Sequence, residues 1–449
     1  MSLALKVRQG FAAVWDILLS FGEEHMLKIA AIGLGSRATE YLTIMQLLRK
    51  KEVEIVAVCD IAPQVLKDIG DRFNVPENRR YLSADALFAE GKIADGLIIG
   101  TQDATHVEIA RPAIELGYTI LMEKPISGNY AECVDLAKRA EEKGVRIVVC
   151  HVLRYWDYYQ KVKQIITSGE MGKLVTVNHT ENIGYFHFAH SYVRGDWHVE
   201  ADSTPSLLAK CCHDIDLIQW FFDKPAVSVS SLGSLEYFCA KNAPEGATEF
   251  CLGGCPAKKD CVYDAEYHYI TSPLHKSTFV KFKKRRLTGK AGATKADIYE
   301  ALRTGQFGKC VYLHDNDVCD NQTVSIDFGD GQTALHTMTA FSKGCFRSCH
   351  YMGTKGELVG RHNDLRLNVF GKYSRKIGRK LGHLPGHGDG DVGLALRFLK
   401  ILGGEAENLD DVTFIQQTLP SHAIIAAAEI SRKENGRRIL MEDFYSQSL

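Results

Sequence analysis

Two glycines separated by one residue, set between a short apolar run and a helix-forming stretch, restrict this chain more than any other feature. Ile29 to Ile32 reads as a buried strand, Gly33-Leu34-Gly35 breaks it, and Ala38 to Arg49 reads as a helix. A second apolar run begins at Glu54 and ends in an acid, Asp60. Strand, glycine turn, helix, strand and terminal acid form the dinucleotide-binding fingerprint. Gly33 permits the tight turn. Gly35 lets the backbone approach a pyrophosphate, which then rests on helix-start N–H groups that lack intrahelical partners, with Ser36 and Arg37 at that start. Asp60 follows near the usual spacing of about 20 residues and is suited to accept hydrogen bonds from an adenosine ribose. Ala38 replaces the third glycine and still permits close helix–strand packing.

The αβ alternation continues beyond Asp60. Helices are expected over Pro63–Phe73, Ser83–Ala89, Thr105–Leu116 and Asn129–Lys143. Strands are expected near Arg80-Tyr81 and over Asp95–Thr101, Tyr118–Lys124 and Arg146–Cys150. This alternation implies a doubly wound parallel sheet, a Rossmann domain over residues 26–150. After about residue 170 longer strand-like runs dominate, as in Val324, Ile326 and Phe328 alternating with polar residues. They imply a mostly antiparallel open sheet in a second α/β domain over 151–449, flanked by helices at Pro205–Phe222, Asp391–Leu402 and Val412–Lys433.

The 449 residues suit two domains, preceded by an extension over residues 1–25. A net charge of −1 gives no broad field for nucleic acid or a membrane surface. The basic run Lys281–Arg286 reads as a solvated strand edge. No apolar run reaches the roughly 18 residues of a membrane span. Thirteen cysteines, an odd number set mostly in apolar runs, read as reduced core residues of a cytoplasmic protein.

In open α/β sheets ligands bind beyond the carboxyl ends of the strands. Three segments fall there: Thr101 to His106, Glu123-Lys124-Pro125 and His151 to Arg154. With the glycine turn, Asp60 and a later His213…Asp216 pair, they resemble the Gfo/Idh/MocA oxidoreductases over residues 26–449. The resemblance implies NAD as cofactor, with NADP left open by Arg37 and Lys67. It implies a sugar, polyol or cyclitol substrate oxidised or reduced at a ring carbon, and a homodimer or homotetramer formed through the C-terminal sheet. Lys124 would be the catalytic or substrate-orienting lysine. Glu123 would lie near the nicotinamide ribose, and Pro125 would be cis. Thr101, His106 and Arg154 complete the cofactor-binding candidates.

His213 is the second acid–base candidate, because imidazole titrates near neutral pH. Many family members carry an Asp four residues earlier; this chain has Ala209 there, with Lys210 next as a substrate-binding or proton-relay residue. Arg154, Tyr185, His187, Trp197 and His387 are further substrate-site candidates, since aromatic faces with polar tips suit a polyhydroxylated ligand. Two other readings follow from the same resemblance: a glycoside hydrolase using bound NAD transiently, and a non-catalytic nucleotide-binding sensor.

An insertion around residues 239–275 carries Cys251, Cys255 and Cys261, with Cys239 upstream and His268 downstream. The spacing departs from the paired pattern of structural zinc sites. The expectation is free thiols and no metal, with a zinc site or a disulfide as the alternatives.

Overall fold

Short apolar runs bounded by turns build a first sheet whose neighbours are all parallel. The computed structural model describes residues 26–273, 278–290, 292–362, 364–378, 389–404 and 411–448. Strands β1 (Leu27–Ile32), β2 (Val53–Cys59), β3 (Arg80–Tyr81), β4 (Gly96–Ile99), β5 (Thr119–Met122) and β6 (Ile147–Val149) lie in the order β3-β2-β1-β4-β5-β6. Chain order reverses between β1 and β4, so a crevice opens at the carboxyl edge there. The connecting helices are Ser36–Leu48, Pro63–Arg72, Ala84–Phe88, His106–Glu115 and Tyr130–Glu142. Two start at side-chain caps. Ser83 Oγ accepts from the Ala86 N–H at 3.2 Å, and Asn129 Oδ1 accepts from the Ala131 N–H at 3.0 Å.

The second sheet has nine strands. These are β7 (Leu174–Asn182), β8 (Ser228–Ser234), β9 (Asn321–Asp327), β10 (Thr333–Thr339), β11 (Phe346–Gly353), β12 (Gly356–Arg361), β13 (Asp364–Val369), β14 (Tyr373–Lys376) and β15 (Ile439–Leu440). Their order is β14-β13-β12-β11-β7-β10-β9-β8-β15, antiparallel except for the central β7–β10 pair. One face is buried and the other open. Along β7, Val177, His179 and Glu181 are buried while Asn178 is exposed.

The helix Ser206–Phe222 lies against the buried face. Every residue of it except Lys210 is buried, because the sheet covers one side and the helix Ile415–Lys433 another. Ile415–Lys433 also reaches the first sheet, through a bridge between Val148 and Phe414.

Two expectations are corrected. The helix Gly390–Leu402 does not flank the second sheet. Its Leu394, Phe398 and Leu399 join the core of the first, with Leu27, Ile29 and Ile98. Gly96 makes this fit, since a Cβ there would lie 2.8 Å from a Leu402 methyl. The basic run Lys281–Arg286 is helical, inside Thr278–Thr288. Alternation at Val280 and Phe282 mimics a strand, but unbranched lysines and arginines are good helix formers.

Between the helix Ser206–Phe222 and the sheet lies a buried charge network. Asp214 accepts from His179 Nε2 at 2.7 Å and from Arg347 Nε and Nη2 at 2.6 and 3.0 Å. Burial alone would raise the Asp214 pKa, but Arg347 and His179 hold it well below the usual carboxylate range. Its folded-state pKa is depressed, so its contribution is present above the unfolded value of about 3.9 and lost as pH falls below it. Asp214→Asn should lower stability by about 3–5 kcal/mol, the cost of removing one member of a buried ion pair. Asp330→Asn, which breaks an exposed pair with Lys224, should cost less than about 1 kcal/mol. Denaturant midpoints for the two variants compare them directly.

Candidate functional site

The glycine turn after β1 divides its two glycines by task. Gly33 has φ +79° and a built Cβ would lie 2.6 Å from the Thr101 nitrogen, so the protein itself requires glycine. A Cβ on Gly35 would meet nothing nearer than the Gly100 oxygen at 3.8 Å. The turn at Gly35 therefore opens onto room for something outside the chain. The helix Ser36–Leu48 begins there with no side-chain cap and no acid in its first turn, so its N–H groups face an opening suited to an anion. At the end of β2, Asp60 accepts from the Leu34 N–H at 2.8 Å and the Ala62 N–H at 2.9 Å. Each carboxylate oxygen keeps a lone pair for a ribose hydroxyl. Ile61 beside it is 87% exposed, an apolar surface that the sequence reading passed over. These residues fit a dinucleotide.

The two cations that left NADP open have acidic partners. Arg37 bonds Glu40 at 2.9 Å, Glu123 at 3.2 Å and, closest, Asp391, so it joins the first helix to the chain's late return. Lys67 pairs with Asp71 at 2.6 Å.

At the end of β5 the Lys124–Pro125 peptide is cis. Glu123 is buried and points inward. It accepts from Arg37, from the Tyr41 hydroxyl at 2.8 Å and from the Lys124 N–H at 3.1 Å. Burial would raise its pKa; Arg37 and Lys124 reverse this and hold it below the usual value. His106, also a cofactor candidate, is fully buried. Its Nδ1 lies 2.8 Å from the Pro125 oxygen and its Nε2 3.3 Å from the Thr101 oxygen, so it ties two strand ends together.

Lys124 crosses to the other sheet's helix. Its Nζ donates to the Ala209 carbonyl oxygen at 2.7 Å. His213 is one turn further along the same face. Its edge meets His151, with centroids 5.6 Å apart, and His151 in turn meets His422 at 5.8 Å. Burial lowers the His151 pKa to about 3, so this neighbour is a neutral imidazole. Arg154 sits behind them. Its guanidinium is bonded bidentately to Asp216 at 2.7 and 2.7 Å, both groups buried, and so braces the helix.

Lys210, the one incompletely buried residue of that helix, lies 3.3 Å from Glu181 and 4.0 Å from the Cys345 sulfur. Burial opposes its charge, but Cys345 and Glu181 more than offset this and raise its pKa. His187 Nδ1 lies 3.2 Å from Lys283 Nζ, a lysine that sequence reasoning did not single out because it sits in the misread basic run. Burial, Lys283 and Lys210 all lower the His187 pKa. Trp197 Nε1 donates to Asp103 at 3.0 Å, fastening the loop after β4 to the second domain. Tyr185 packs against Tyr263 and His268 instead. His387 lies outside the described residues.

In the insertion, Cys251, Cys255 and Cys261 line one small cavity, and Cys310 joins them. The other two residues considered with this group face elsewhere. Cys239 donates to the Glu236 oxygen at 3.3 Å, and His268 Nε2 lies 2.7 Å from the Val262 oxygen.

Residues 27–151 match the family described as an oxidoreductase family with an NAD-binding Rossmann fold, and residues 159–242 match the GFO/IDH/MocA C-terminal domain. The putative oxidoreductase YteT of Bacillus subtilis is 24% identical, over 78% of each chain. Inositol 2-dehydrogenase of Salmonella typhimurium is 25% identical over 44% of this chain and 55% of its own. Among solved structures, an inositol dehydrogenase homologue from Azotobacter vinelandii complexed with NAD+ superposes with TM-score 0.68. It is 15% identical, and the match covers 94% of this chain and 100% of that one. The glycine turn, Asp60, the strand-end lysine and the paired sheets thus have one common explanation: over residues 27–151 and 159–242 the chain carries the two domains of the Gfo/Idh/MocA oxidoreductases, an NAD-binding Rossmann fold and the C-terminal domain.

Proposed function

We propose that this enzyme transfers hydride between NAD and a ring carbon of a sugar, polyol or cyclitol. The observation that carries the reading is Lys124, which stands at the crevice edge and reaches the helix bearing His213 one turn before it. NAD, when bound, supplies the hydride acceptor. Lys124 orients the substrate oxygen, and His213 takes or returns its proton. Arg154 with Asp216, and His151 behind the ring, hold the helix.

Lys124→Ala should leave NAD affinity within a few-fold, since the glycine turn and Asp60 lie elsewhere, while lowering turnover by about 10²–10⁴-fold. His213→Ala should lower turnover and remove one limb of the pH–rate profile. Cofactor titration and pH–rate curves, on the best substrate from a panel of sugars, inositols and sugar acids, test this. Unchanged turnover in Lys124→Ala would defeat the proposed chemistry. Glycoside cleavage without net NADH would instead indicate hydrolysis by transient oxidation.

Asp60 should set cofactor choice. A charged hydrogen bond is worth about 1.5–3 kcal/mol, and the carboxylate repels a 2′-phosphate. At least about tenfold tighter binding of NAD than of NADP is expected by calorimetric titration. The reverse order would reassign the ribose site.

The open face of the second sheet supports self-association. Val359, His350, Asn178, Leu335 and Ser325 make one row across it, and Val359 and Leu335 are 41% and 40% exposed. The protein should run as a dimer or tetramer in light scattering, and Leu335→Asp should shift it toward monomer. A monomeric wild type would reject this surface as an interface.

A further inference from the structure

Four cysteines from two distant parts of the chain surround one cavity of about 20 Å³ beside Arg194. Two local devices bring them there. A single antiparallel bridge pairs Phe250 with Lys309. Cys251 N–H donates to the Gly308 oxygen at 2.9 Å and Cys310 N–H to the Glu249 oxygen at 2.7 Å, which sets Cys251 beside Cys310. The 3-10 turn Pro256–Lys259 then separates Cys255, its N-cap, from Cys261, whose N–H returns to the Ala257 oxygen at 3.0 Å.

Arg194 supplies an independent observation. It is 1% exposed, and among the described residues it has no carboxylate partner. Its Nε donates to the Lys309 oxygen, and its Nη2 to the Tyr263 oxygen and the Cys251 sulfur, the last at 3.3 Å; Nη1 has no hydrogen-bond partner. A buried guanidinium without a counter-charge costs several kcal/mol unless something negative lies beside it. Four neutral thiols provide no such charge, and Asp264, which lines the same cavity, forms no ion pair with Arg194.

We infer that Cys251, Cys255, Cys261 and Cys310 bind a thiophilic metal centre, either one zinc ion or an iron–sulfur cluster. On binding, the four thiols release their protons to solvent and become thiolates. Four thiolates outweigh the metal charge in either case, so the centre is a net anion and neutralises Arg194. Four protein ligands leave no open position, which makes the site structural. The sulfurs stand apart without it. Among the described residues only His198, His314 and Asp315 bring three such ligand atoms within 4.8 Å of one another. One zinc ion would draw the sulfurs inward, whereas a cluster spans sulfurs that stand apart; either would staple the Cys251–Cys261 insertion to Cys310. This reverses the free-thiol expectation from spacing alone, which lacked the fourth cysteine.

The test uses the full-length protein purified without oxygen. Zinc, iron and acid-labile sulfide are measured per chain, together with the visible spectrum and thiol titration in denaturant with and without reductant. One zinc, or about four irons with matching sulfide and broad visible absorbance, is expected. Cys310→Ser and Cys261→Ser should each reduce the metal content at least about fivefold, while Cys239→Ser should retain it. If those two variants do not fold, chelator stripping of the wild type followed by zinc, or by iron and sulfide, should restore the stoichiometry. Wild type with neither metal, or four cysteines recovered as disulfides, would overturn the inference, as would unaltered metal content in Cys310→Ser.

Discussion

The hydrogen bond from Lys124 to the Ala209 carbonyl, 2.7 Å long, joins the end of a strand in one sheet to a helix on the other. Both sides of the crevice depend on that registration. The glycine turn and Asp60 belong to the first sheet; His213 and Lys210 belong to the second sheet's helix. Either half alone presents only part of the required chemistry. The helix is held by more than this bond. Arg154–Asp216 pins it toward the first sheet and Asp214–Arg347 toward the second, both within one turn after His213. These two acids serve opposite neighbours, and the turn that carries the histidine is fixed from both sides.

Much of the fold was legible because its signals are local. Buried parallel strands read as short apolar runs, and five of the first sheet's six lie where such runs predict; the two-residue β3, Arg80–Tyr81, is not an apolar run. The glycine turn and Asp60 were legible because few other jobs need those residues at that spacing. What failed was partnership. Arg154 is a strand-end arginine in any one-dimensional reading; only the fold shows Asp216 occupying its guanidinium. His106 and Arg37 likewise look available until Pro125, Glu123 and Asp391 are seen around them. Gly390–Leu402 was recognisable as a helix, but nothing in its period says which sheet it covers. Lys283 was hidden because the alternating run around it imitates a strand. Cys310 was missed because the bridge between Phe250 and Lys309 leaves no trace in spacing.

The absence of an acid at position 209 has a physical compensation in this chain. With Ala209 there, the backbone carbonyl is the acceptor facing Lys124, and a carbonyl cannot be protonated. The lysine therefore has a fixed neutral partner rather than one whose charge changes during a reaction. Behind His213, burial keeps His151 uncharged as well.

The return of Gly390–Leu402 to the first sheet bears on how the chain is made. During synthesis the cofactor-binding strands emerge well before the helix that covers Gly96 and packs with Ile29 and Ile98, with strands β7 to β14 made in between. Until that helix arrives one side of the first sheet is covered only in part, by Ser36–Leu48 and Pro63–Arg72, and the nascent chain has apolar surface to protect. Completion of the nucleotide fold is thereby tied to synthesis of the second sheet.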